Sequence, residues 1–189
     1  MNSKIVAAII GTALSAFVSL GQGTIGFANS TLTRVQWLSS PGIYQNLPVG
    51  APIVFGVFWG TMADDLHLND GPLGTASTTS SGLIQAPATY ALVGTDPAGG
   101  ETYFMKIAGW SSQYGRDYAA AKLDPAARYG ETAVRQITTA SSLGPGTVIW
   151  SGSNTSLFQP LKLDIVPEPS VVVLGVLGSG VLLLRRKRA

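Results

Sequence analysis

The chain has 189 residues, with 12 Lys and Arg, 10 Asp and Glu, one His and no Cys. Its formal charge of +2 belongs to the ends: residues 22–168 carry seven basic and ten acidic side chains, a net of −3, so no nucleic-acid partner is expected. The lack of Cys excludes a disulfide framework, a Cys/His zinc centre and a lipoprotein anchor, and the lone His67 excludes a multi-His metal site within one chain.

Residues 1–21 have the layout of a secretory signal peptide. Lys4 supplies the positive start, and residues 5–20 are apolar apart from small interruptions. Ser19 and Gly21 fit the small-residue positions before a cleavage site. An uncleaved signal anchor is the alternative. The stretch is diluted by Ala, Gly and Ser and lacks strong flanks, so cleavage is favoured. The Sec translocon and signal peptidase are the partners this implies.

Residues 22–166 amount to one domain's worth of chain, enough to bury a core of its own. Short β-like segments punctuated by turns dominate it. The predicted strands are 32–38, 52–59, 102–110, 132–139, 147–150 and 156–165, with 89–93 a weaker one. Residues 52–59 (PIVFGVFW) read as a buried central strand, too short and too β-branched for a helix. In 102–110, Tyr103, Met105 and Ile107 should share one face, with Phe104 and Lys106 on the other. Between Gly115 and Gly130 the pattern turns helical at Tyr118-Ala119-Ala120-Ala121-Lys122, with Asp117 near its start and Pro125 as its stop. The fold class expected is mainly β: an antiparallel β-sandwich with one short helix, plus an N-terminal signal helix and a C-terminal transmembrane helix.

Few residues in this body suggest chemistry. A Ser-His-Asp triad would have to use His67, and the nearest approach to a nucleophile elbow, Gly109-Trp110-Ser111-Ser112-Gln113, lacks the closing Gly. Asp64, Asp65, Asn69 and Asp70 offer oxygen ligands for Ca²⁺, but their spacing is not that of an EF-hand, and Asp-Asn-Gly clusters ordinarily build turns. Trp37, Trp59, Trp110 and Trp150, with Tyr44, Tyr90, Tyr103 and Tyr114, could line a carbohydrate platform, although core packing suits most of them better. Asn29-Ser30-Thr31 and Asn154-Thr155-Ser156 are formal N-x-S/T sequons. No catalytic residue, cofactor or metal is expected.

The tail, 167–189, has three parts. Pro167, Glu168 and Pro169 come first; an uncharged run follows over 171–184; Arg185, Arg186, Lys187 and Arg188 come after it. The prolines hold Glu168 on an extended stretch. As a helix the apolar run reaches about 21 Å, short of the roughly 30 Å hydrocarbon core. Snorkelling of the basic stems and bilayer thinning make up part of the gap. The basic cluster should stay cytoplasmic, leaving the body on the far side.

This order resembles the PEP-CTERM sorting signal of bacterial surface proteins, matched at Pro167, Glu168 and Pro169, at the apolar run and at the four basic residues. The resemblance implies recognition by an exosortase, removal of the tail, and release or attachment of the body at the cell surface. The stretch Gly23-Thr24-Ile25-Gly26-Phe27-Ala28-Asn29, together with Ala108-Gly109-Trp110 and the Tyr-containing segment from Tyr114 to Tyr129, resembles small PEP-CTERM proteins of β-sandwich type without assigned chemistry. The expectation is an exported, non-catalytic surface or extracellular-matrix protein, transiently held in the membrane. The alternatives are a secreted module binding polysaccharide or calcium and, less favoured, a hydrolase.

Overall fold

The computed structural model describes residues 22–87, 89–150 and 158–165. The expected signal segment (1–21), the sorting motif (Pro167, Glu168, Pro169), the apolar run (171–184), the basic cluster (Arg185, Arg186, Lys187, Arg188) and the sequon at Asn154 lie outside the described residues. Among the described residues, no helix is long and apolar enough to cross a membrane.

The body is mainly β with one short helix. Its spine is the hairpin-like pairing of β4 (Ile53–Met62) with β9 (Thr102–Ser111), in register from Ile53 opposite Ser111 to Gly60 opposite Phe104. Both strands are rich in β-branched and aromatic residues, which suit a pleated surface packed on both sides. On one face Phe55, Val57, Trp59, Met105 and Ile107 enter the main core. On the other, Val54, Phe58, Ala108 and Trp110 meet Tyr118 and Ala121 of helix α1 (Tyr118–Leu123). The alternation expected for Tyr103, Met105 and Ile107 against Phe104 and Lys106 is present in β9, with Met105 and Ile107 fully buried.

The remaining strands build outward. β1 (Thr24–Gly26), β8 (Tyr90–Ala91) and β12 (Thr147–Val148) form a small three-stranded sheet in the order β12-β1-β8. The large sheet runs β3-β2-β13-β10-β9-β4-β6-β7, using β2 (Gln36–Ser40), β3 (Ile43–Asn46), β6 (Gly74–Ala76), β7 (Ile84–Gln85), β10 (Arg128–Glu131) and β13 (Lys162–Ile165). β5 (Asp65–Leu68) pairs with β4, and β11 (Arg135–Thr138) with β9. Ile25 from the small sheet and Leu163 from the large one lie in a single buried cluster, so both sheets share one core. The pairings of β1 with β12 and of β13 with β2 are parallel, so the sheets are mixed rather than wholly antiparallel.

Several expectations need correcting. The stretch from Asp64 to Gly71, whose Asp-Asn-Gly composition suggests turns, contains β5, the return strand of a hairpin on β4. The predicted strand 132–139 forms only over Arg135–Thr138, while β10 ends at Glu131. Between them Thr132 keeps the ladder closed: its N–H donates to Ile107 O at 2.9 Å, and its hydroxyl accepts from Ile107 N at 3.0 Å. The side chain thus stands in for a backbone carbonyl where one run of pairing passes to the next.

The GTIGFAN stretch is structural throughout. Gly23 N–H donates to Thr95 Oγ1 at 2.8 Å, and Phe27 packs on Tyr90 with ring centroids 5.0 Å apart. Asn29 clamps two distant segments: its amide nitrogen donates to Thr33 O and Gly82 O, and its oxygen accepts from Ile84 N. A glycan on that nitrogen would compete with both of its hydrogen bonds.

Candidate functional site

Strand pleating puts alternate residues on one face. In β4 and β9, Ile53 lies opposite Ser111, on the same face as the core residues Phe55 and Ile107. In β10, Gly130 lies opposite Gly109, which places Arg128 on that face too. Arg128 pairs with Ile165 of β13, and Leu163, two residues earlier, pairs with Trp37 of β2. Four strands therefore bring Trp37, Ile53, Ser111 and Arg128 to one end of the core face. With Pro52, Ser112, Gln113 and Ala126 they line a cleft of 410 Å³. That volume falls within the roughly 300–1,000 Å³ usual for small-ligand sites. Two further hollows, beside Arg135 and Phe158 and between Leu38 and Ile165, measure 160 Å³ each and fall below that range.

Close approach of the backbones makes this end possible. A methyl group on Gly130 would run into the carbonyl of Lys162, and one on Gly109 would meet the Phe55 ring at 2.8 Å. Glycine at both positions lets β10 settle between β13 and β9.

The polar groups of the cleft are held from behind. The Arg128 guanidinium lies over the Trp37 ring, 4.3 Å from its centroid, and its Nη1 donates to Leu38 O at 2.6 Å. The Arg128 backbone N–H donates to Ser111 Oγ at 2.9 Å. Gln113 Nε2 donates to the Tyr114 hydroxyl at 2.9 Å; that hydroxyl donates to the Asp124 carboxylate, whose other oxygen accepts from Ala126 N–H at 2.7 Å. The bond to Asp124, with burial, pushes the Tyr114 phenol up, while the bond from Gln113 works against it. The same bond, helped by the Ala126 N–H and opposed by burial, holds Asp124 below the usual carboxylate range. Asp124 thus stays ionised and occupied in bracing the rim. Among the described residues Arg128 is the one charged residue lining the cleft. Among the described residues the ion pairs are Lys106–Glu131 and Arg116–Asp70, and Arg128 belongs to neither.

The other candidates do not converge. His67 sits on β5 opposite Trp59, its ring 4.4 Å from the indole. Ser111 sits opposite Ile53, six residues along β4 from Trp59, a separation of about 20 Å at strand rise. A triad through these two groups has no geometry. Asp64 and Asp65 are exposed at the hairpin turn, whereas Asn69 lies fully buried beyond the other end of β5. Asn69 Oδ1 accepts from Val93 N at 2.8 Å and its amide donates to Ala91 O at 2.9 Å, so its side chain belongs to the fold. Asp70 lies 3.7 Å from Arg116. Among the described residues no group of three or more His, Asp or Glu could hold a metal ion.

Of the aromatic set, Trp59, Trp110 and Trp150 are core residues, as is Tyr90. Trp37 is half-buried at the cleft, and Tyr114 braces its rim. Sequence reasoning missed Arg128 and Gln113, whose relation to Trp37 exists only through strand order. Compared with protein-family models, curated proteins and solved structures, the chain finds no match in any of the three.

Proposed function

We propose that this is an exported bacterial surface or extracellular-matrix protein, sorted through its tail by an exosortase and without catalytic activity. The observation that carries the reading is the ordered tail: Pro167-Glu168-Pro169, an uncharged run, then Arg185, Arg186, Lys187 and Arg188. Pro167 stands two residues past Ile165, the end of β13, so the motif follows the folded body without a further domain between them. The shared core of the two sheets supports reading the body as a β-sandwich. In this reading the tail arrests in the bilayer, its cations set the orientation, and cleavage at the proline motif frees the body.

Mass spectrometry of the released protein tests it. The expected C-terminus lies before Arg185, and replacing both Pro167 and Pro169 by Ala should leave export intact while the chain stays in the membrane. Released protein with the four basic residues still attached would end the proposal.

The cleft favours a second reading, in which the body binds polysaccharide. A guanidinium carried on a half-buried indole and flanked by hydroxyl and amide groups is a surface that can bond a sugar's hydroxyls.

A further inference from the structure

We infer that the Trp37–Arg128 cleft is a subsite for a carboxylated sugar, a uronic acid unit of an acidic polysaccharide. The inference rests on the polysaccharide-binding reading and adds the charge of the ligand. The guanidinium sits over Trp37, and among the described residues only its Nη1 is committed, to Leu38 O, which leaves further N–H donors for a ligand. A planar, pre-ordered guanidinium matches a carboxylate with two parallel N–H donors. Among the described residues no acidic side chain lines the cleft, and the nearby Asp124 carboxylate already accepts from the Tyr114 hydroxyl and the Ala126 N–H. An uncompensated cation in a concave site therefore has its counter-charge left for a ligand to supply.

The neutral groups point to a sugar rather than to a bare anion. Ser111 accepts from the Arg128 N–H through its oxygen and keeps its own proton to donate. Gln113 is oriented by its bond to Tyr114, which leaves its side-chain oxygen as an acceptor. A donor and an acceptor around one cation, itself carried on the Trp37 indole, form a mixed surface. A sugar ring carrying both hydroxyls and a carboxylate complements it; a phosphate or a simple carboxylate would take the cation and the Ser111 donor but leave the Gln113 acceptor unused.

Calorimetric titration of the full chain in a non-ionic detergent tests this. Three probes of equal length are required: tetraglucuronate, its carboxyl-reduced glucose counterpart and tetraglutamate. Tetraglucuronate should bind at least tenfold more tightly than either of the others. Arg128→Gln should weaken it about tenfold, the scale of one lost charged hydrogen bond, and weaken the reduced probe much less, so that the preference between the two sugars collapses. Gln113→Ala, an exposed substitution that spares the core, should weaken both sugars alike. Equal binding of the two sugars would overturn the carboxylate assignment while leaving the glycan reading standing. Equal or tighter binding of tetraglutamate would overturn the sugar assignment, and no binding of any probe would overturn both. If Arg128→Gln fails to fold, as judged by its thermal transition, the preference among the three probes on the unaltered chain and the Gln113→Ala loss decide the matter.

Discussion

Asn69 shows how a polar residue can look like a ligand and be a rivet. Its amide joins β5 to the 91–93 segment through Ala91 O and Val93 N, at zero exposure. Asn69→Ala would remove the side-chain partner of both part-buried backbone groups and should cost about 1–3 kcal/mol. Urea unfolding of the variant against the parent measures it. Asp64→Ala and Asp65→Ala, at the exposed turn, should leave stability within about 0.5 kcal/mol. At this scale the sequence was ambiguous for a physical reason. An Asp-Asn cluster has the same composition whether its oxygens face a cation or the chain's own N–H groups. Trp37 was legible as an aromatic of interest, but Arg128 was not. The two lie 91 positions apart, and no periodicity links residues that meet across an intervening strand.

Among the elements, those with strong local chemistry were readable. The helix at Tyr118–Leu123 carries its own start signal: the Asp117 side chain accepts from Ala120 N at 2.9 Å, satisfying one of the first-turn donors. Asp117→Ala should therefore cost about 1 kcal/mol, and Asp117→Asn much less, as thermal unfolding of the pair would show. β4 and β9 were legible from their apolar runs. β5 and β10 were not. In β5, Leu66 and Leu68 alternate with Asp65 and His67, but four residues flanked by Asp and Asn carry the composition of a turn. In β10, Arg-Tyr-Gly-Glu contains a glycine that weakens strand propensity. It is there because the Lys162 carbonyl leaves no room for a side chain. Tertiary approach, which is invisible along the chain, overrode local preference. The parallel partnership of β13 with β2 is likewise a property of topology.

Across the molecule, one carboxylate ties sheet to helix. Glu131 on β10 accepts from Lys106 Nζ of β9 at 2.8 Å and from the Tyr118 hydroxyl of α1 at 2.9 Å. Burial alone would raise its pKa, but the bonds from Lys106 and Tyr118 and the charges of Lys106 and Lys122 outweigh it, so Glu131 is held below the usual carboxylate range. Burial, with the charge of Glu131, pushes the Tyr118 phenol well up, so it remains a donor throughout the working range. A depressed carboxylate binds protons less readily folded than unfolded. Its contribution is complete above the unfolded value near about 4.3 and disappears as pH falls through the lower folded value. The thermal midpoint should drop on acidification below about pH 4.5. Glu131→Gln should lower the midpoint at pH 7 and reduce that acid dependence, leaving a remainder from groups such as Asp124. A melting series from pH 7 to pH 3 on both proteins compares them directly.

The position of β13 bears on how the body meets mechanical load. It is not a border strand: β2 flanks it on one side and β10 on the other. Force applied through the carboxyl end would reach the body at Ile165, along a ribbon gripped on both flanks. Such a ribbon can slip only if its bonds to both neighbours shear together, whereas a peripheral one would unzip rung by rung.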